Sequence, residues 1–120
     1  MCVSGIRVLI VEDESRLAES LAIGLKRNGL TAQIANCGKE GLQKLHKSAF
    51  DYILCDINMP HMDGWEFADR AKAYTTAEFI FVTADSRIVK KKEYSNCPLL
   101  IKPLEINSIV KLFNERRIEI

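Results

Sequence analysis

No stretch of this 120-residue chain stays apolar for anything near the ~20 residues that cross a bilayer, so no membrane is expected among its partners. An excess of charge is missing too. Seventeen basic residues against sixteen acidic ones leave a formal charge of +1, which gives no global reason to expect nucleic acid or an anionic surface as ligand. Proline is scarce, at three residues, and no Pro/Gly/Ser-rich tract, repeat or low-complexity run marks a linker. The four cysteines, Cys2, Cys37, Cys55 and Cys97, lack any C-x-x-C spacing, which argues against zinc or dithiol chemistry. Free thiols in a reducing cytosol are the expectation. The opening Met-Cys-Val-Ser-Gly lacks the basic-then-apolar order of a secretory signal, in keeping with a cytoplasmic location.

What is present is an ordinary globular composition, 48% hydrophobic and 28% charged. The length suits one domain over 1–120, with its core over about 6–116, and one buried core rather than two. Short apolar runs alternate with helical periodicity. Residues 6–11 (IRVLIV) read as a first strand, and Leu17, Ala18, Leu21, Ala22 and Leu25 then recur at helical spacing until Gly29. Residues 30–35 read as the second strand, and Leu42 and Leu45 mark a weaker helix. Residues 51–56 (DYILCD) form the third strand, and 65–74 the third helix. Residues 78–83 and 99–101 form the fourth and fifth strands, and Ile106, Ile109, Val110 and Phe113 space out a last helix. Strands one, three and four are almost continuously apolar, as strands covered on both faces are. With right-handed crossovers the expectation is an α/β, doubly wound, five-stranded parallel sheet, order 2-1-3-4-5, with helices on both faces.

In such sheets, ligands sit beyond the carboxyl ends of the strands. Strand one ends in Glu12-Asp13, strand three in Asp56, strand four in Thr83 and strand five in Lys102-Pro103; strand two ends blandly at Ala35-Asn36. Three carboxylates gathered there repel one another unless a cation neutralises them. Mg²⁺ suits the set, with Asp13 and Asp56 as direct ligands, Glu12 through water, and the backbone carbonyl of Asn58 completing the protein ligands. Thr83 and Lys102, a hydroxyl and an ammonium expected on the opposite side, suit a phosphoryl group. Together these residues describe phosphoryl transfer onto a carboxylate, with Asp56 as acceptor.

Four stretches, VLIVEDES, DYILCDINMPHMDGWEF, FIFVTA and LLIKPL, in this order and spacing, resemble the receiver domain of two-component response regulators over roughly residues 6–113. The resemblance implies that a sensor histidine kinase or a histidine phosphotransfer protein donates a phosphoryl group from phosphohistidine to Asp56. It implies Mg²⁺ as cofactor, with Mn²⁺ able to substitute, and an output domain or target protein downstream. The domain itself would bind no nucleic acid, and it assists its own phosphorylation and dephosphorylation rather than acting as an enzyme on a separate substrate. By the same resemblance Lys102-Pro103 is expected to be cis, and Asn58 and Asp85 occupy positions that regulate acyl-phosphate hydrolysis. Two departures stand out. Leu99 takes the place of the Tyr or Phe expected three residues before the lysine. The stretch between Thr83 and Lys102 is also short, so the fourth helix is expected to be abbreviated, tilted or mobile, and the signal to leave by a modified route such as the first or last helix.

Each residue has a plainer reading. Asp56 alone suits a turn, and Glu12 and Asp13 suit a helix N-terminus. Thr83 and Lys102 singly are an ordinary strand residue and a solvated lysine. Trp65 is expected in packing, Cys55 in the core, His46 and His61 at the surface, and Lys90, Lys91 and Lys92 on a solvated face. The main alternative function is a phosphorylation-independent interaction module of the same fold. A haloacid-dehalogenase-type phosphatase would need a second aspartate where Asn58 stands, and a flavin carrier would need a phosphate loop where EDES stands.

Overall fold

The computed structural model describes residues 5–118, with side chains for 5–116. Its elements are β1 (Arg7–Val11), α1 (Ser15–Arg27), β2 (Thr31–Ala35), α2 (Gly38–Lys47), β3 (Tyr52–Asp56), α3 (Gly64–Ala71), β4 (Glu78–Thr83), β5 (Leu99–Ile101) and α4 (Ile106–Ile118), with one 3-10 turn at Lys92–Tyr94. The strands pair in parallel in the order β2-β1-β3-β4-β5. That is the order expected from the sequence.

Strand alternation divides the core into two layers. Val8 and Ile10 of β1, Tyr52 and Leu54 of β3, and Ile80 and Val82 of β4 pack with Ala18, Leu21, Leu25, Ile109 and Phe113 from α1 and α4. Their neighbours Leu9, Val11, Ile53, Cys55, Phe79 and Phe81 pack with Leu45, Phe67, Ala68 and Ala71 from α2 and α3. The continuous apolar runs in the sequence are explained by this: both faces of the central strands are covered.

Helix ends follow local chemistry. Gly29, at φ +89°, closes α1, with its N–H bonded to Lys26 O and the Leu30 N–H bonded to Leu25 O. Only a residue without Cβ adopts that conformation cheaply. Asp63 caps α3 by accepting the Glu66 N–H at 2.8 Å. This helix is shorter than expected. After Ala71 the chain tightens into a turn with Tyr74 N–H on Ala71 O, and Tyr74 is 49% exposed, so no burial draws the helix on.

Between Thr83 and Leu99 the abbreviated helix of the sequence reading shrinks to that single 3-10 turn. Tyr94 fills the space. It is buried, and its ring lies 5.7 Å from Trp65 and 5.2 Å from Phe81. Its hydroxyl bonds to Asp69 at 2.5 Å, and Lys72 sits 4.5 Å over the ring. Burial, then the Asp69 bond, push the phenol well above its ordinary pKa. Lys90 departs from the expected solvated face: it is half-buried and donates to Ser95 O and Cys97 O, both at 3.0 Å, whereas Lys91 and Lys92 are exposed.

Trp65 and Cys55 are buried, and His46 and His61 exposed, as expected. Cys37, Cys55 and Cys97 are free thiols, and Cys2 lies outside the described residues. Among the described residues no helix is long and apolar enough to cross a membrane.

Candidate functional site

The parallel sheet delivers Glu12, Asp56, Thr83 and Lys102 to one end. Asp56 closes β3, Thr83 closes β4, Glu12 follows β1 directly and Lys102 follows β5. The registers Val11↔Cys55, Asp56↔Val82 and Thr83↔Ile101 bring these ends level. The loop after β3 is folded back tightly: the Ile57 N–H bonds to Val82 O and the Gly64 N–H to Ile57 O, at 2.9 and 2.8 Å. Gly64 is needed there, since a Cβ on it would stand 2.6 Å from the Asp56 carbonyl oxygen.

Glu12, Asp13 and Asp56 each offer a carboxylate oxygen within 4.8 Å of the others. Glu12 and Asp56 are buried and Asp13 is exposed at the mouth. This oxygen-only donor set, open on one side to solvent, fits a hard divalent cation such as Mg²⁺. Lys102 Nζ lies 3.1 Å from Glu12 Oε1 and 3.2 Å from Asp56 Oδ2. The other oxygens are also engaged, since Glu12 Oε2 accepts the Glu14 N–H at 3.1 Å and Asp56 Oδ1 accepts the Asn58 N–H at 3.2 Å. The Lys102-Pro103 bond is cis. Thr83 is fully buried, and its hydroxyl oxygen accepts from Asn58 Nδ2 at 3.3 Å and from the Asp85 N–H at 3.0 Å.

Burial alone would lower the Lys102 pKa, but its hydrogen bond to Glu12 and the charges of Asp56 and Glu12 outweigh this and raise it. Glu12 is pushed from 4.5 to about 7, first by burial and then by Asp56, against the Glu14 amide and Lys102. The folded protein therefore holds the Glu12 proton more tightly than the unfolded chain does. That contribution to stability is complete below about 4.5 and is lost as pH rises through about 7. The urea midpoint of metal-free protein is expected to fall over this window relative to Glu12→Gln, which cannot titrate there. Parallel curves for the two proteins would refute it.

Two features differ from the sequence reading. Lys102 does not stand apart on the far side from the acids; its long stem lets one ammonium bridge Glu12 and Asp56. Asn58, singled out for its carbonyl, also reaches Thr83 through its side chain. Gly64 was not singled out at all, because the steric need for it arises from the returning loop. Asp85 turns outward, accepting from the Arg87 N–H and side chain at 2.9 and 3.0 Å, and these bonds lower its pKa. Leu99 is half-buried against the α2/α3 layer.

Residues 8–114 match the family model described as the response regulator receiver domain. The chain is 33% identical over 108 residues to the transcriptional regulatory protein PcoR of Escherichia coli, covering 87% of this chain and 48% of that protein. It thus spans about half the length of the curated relatives it matches. Among solved structures it resembles chemotaxis protein CheY4 of Vibrio cholerae, with TM-score 0.79 and 28% identity over 92% of this chain and 97% of that one. It also resembles response regulator TrrA of Thermotoga maritima in complex with Mg²⁺-BeF, with TM-score 0.81 and 25% identity over the same shares of the two chains. With an acidic cluster consistent with a phosphorylation site at the strand ends, this chain belongs to the response regulator receiver domain family of two-component systems.

Proposed function

We propose that Asp56 accepts a phosphoryl group from the phosphohistidine of a sensor histidine kinase or a histidine phosphotransfer protein, and that the domain acts as a cytoplasmic switch. The observation behind this is the packing of Glu12, Asp13 and Asp56 within 4.8 Å, with the Lys102 ammonium 3.2 Å from Asp56. In this reading an Asp56 carboxylate oxygen forms the new O–P bond as the donor's N–P bond breaks. The departing imidazole keeps the electron pair and takes a proton from solvent. Lys102 holds the phosphoryl oxygens electrostatically and Thr83 donates a hydrogen bond to them. Asp13, Asp56 and the Asn58 carbonyl would hold Mg²⁺ or Mn²⁺, with Glu12 assisting. The bound cation supplies neutralising charge for the phosphoryl oxygens. Asn58 and Asp85 tune the lifetime of the acyl phosphate, and Pro103 sets the direction of Lys102. The single domain covers 1–120 and binds no nucleic acid itself.

Leu99 and the shortened 84–98 segment support an output through α1 or α4 to an attached domain or target protein. A groove of about 440 Å³ lies between these helices, beside the half-exposed Ile23. Amide exchange with and without beryllofluoride is expected to change on α1 or α4. Changes confined to residues 87–100 would exclude that route.

The same departures favour the second reading, a phosphorylation-independent interaction module. Incubation with phosphoramidate and Mg²⁺, followed by intact mass, separates the two. A single phosphoryl adduct on the wild type supports the switch, and no adduct supports the module. Trp65 fluorescence is expected to saturate with Mg²⁺ in the wild type and to stay flat in Asp13→Ala.

A further inference from the structure

We infer that the Asn58 side chain is a positioning residue, which holds the Thr83 hydroxyl as an obligatory donor toward the phosphoryl group on Asp56. This rests on the phosphoacceptor reading. It concerns the side chain of Asn58, whereas the metal would use only its backbone carbonyl. A hydroxyl has two acceptor sites and one proton. In Thr83 both acceptor sites are taken, one by Asn58 Nδ2 at 3.3 Å and one by the Asp85 N–H at 3.0 Å. Its proton is thereby the one function left for an incoming group. Thr83 is 0% exposed, so water does not compete for the hydroxyl. The Asp85 N–H is a backbone donor that cannot turn round, whereas the Asn58 amide can present either nitrogen or oxygen. Were it flipped, its oxygen would take the Thr83 proton and cancel the donor. The orientation of one side chain therefore decides whether Thr83 assists the transfer.

Asn58→Asp makes the distinction sharp, because a carboxylate only accepts and would capture the hydroxyl proton. With phosphoramidate and Mg²⁺, the rate of adduct formation at saturating donor is expected to fall roughly tenfold or more in Asn58→Asp and less in Asn58→Ala. The charge added by aspartate acts on the metal as well. The same substitutions are therefore made in Thr83→Val, where the hydroxyl part of the loss must vanish and only the charge part remain. Without metal or phosphodonor, the Asn58 side-chain NH₂ resonances should shift in Thr83→Val. An equal loss with and without the Thr83 hydroxyl, or NH₂ resonances indifferent to it, overturns the inference while leaving the phosphoacceptor reading intact. Absence of any adduct on the wild type overturns both.

Discussion

Lys102→Met is expected to bind Mg²⁺ at least about tenfold more tightly than the wild type, yet to gain phosphate from phosphoramidate roughly a hundredfold more slowly. The two effects have opposite signs because one ammonium serves two purposes. In the described state it lies 3.1 Å from Glu12 and 3.2 Å from Asp56, so a divalent cation approaching these acids meets a positive charge already in place. Methionine keeps the apolar stem and removes the repulsion. In the proposed transfer the same ammonium is the side-chain cation that meets the phosphoryl oxygens, and deleting one such preorganised donor costs about two to three orders of magnitude. Asp56→Asn serves as the reference: no adduct, and weaker Mg²⁺ binding through loss of a ligand. Metal affinity is read from Trp65 fluorescence and phosphate gain from intact mass. A Lys102→Met protein that binds Mg²⁺ less tightly would mean that the lysine organises the acids rather than opposing the cation.

Gly64→Ala is expected to lower stability by about 2–4 kcal/mol, a fall in thermal midpoint of roughly 8–15 °C for a domain of this size. A Cβ at Gly64 would lie 2.6 Å from the Asp56 carbonyl oxygen and 2.8 Å from Ile57 Cα. Both are backbone atoms, so relief requires the end of β3 or the start of α3 to move. Asp56 and Asn58 ride on that turn, and Mg²⁺ affinity should fall with stability, by about tenfold or more. Gly24→Ala makes the contrast. Its Cβ meets only side-chain atoms of Ile106, at 2.4 and 2.5 Å, which can rotate away, and alanine's helix propensity of ~1 kcal/mol over glycine offsets part of the cost. A midpoint for Gly64→Ala within about 2 °C of the wild type would show that the turn yields freely.

In the shortened 84–98 segment a single side chain takes over the covering of the core. Tyr94 enters from the 3-10 turn and packs against Trp65 and Phe81. One aromatic ring thus covers the core where a helix was expected. Nothing in the spacing of Ile88, Val89 and Tyr94 distinguished that role, since Val89 is 83% exposed and Tyr94 2%. Tyr94 and, in part, Ile88 reach the aromatic layer and Val89 does not, in a loop that Lys90 ties to Ser95 and Cys97.

By itself, the chain's order of residues determined the five strands, their parallel sequence and the gathering of Glu12, Asp13, Asp56, Thr83 and Lys102 at one end. Alternation and strand termini are local patterns, and the handedness of crossovers converts them into topology with little freedom. Only the tertiary structure decided what each polar atom touches: that Lys102 bridges two acids, that Asn58 reaches Thr83, and that Gly64 lies under the Asp56 carbonyl. Those contacts join residues 25 to 90 positions apart, or depend on a loop returning on itself. Differences of an ångström in backbone path, which no periodicity encodes, choose between them.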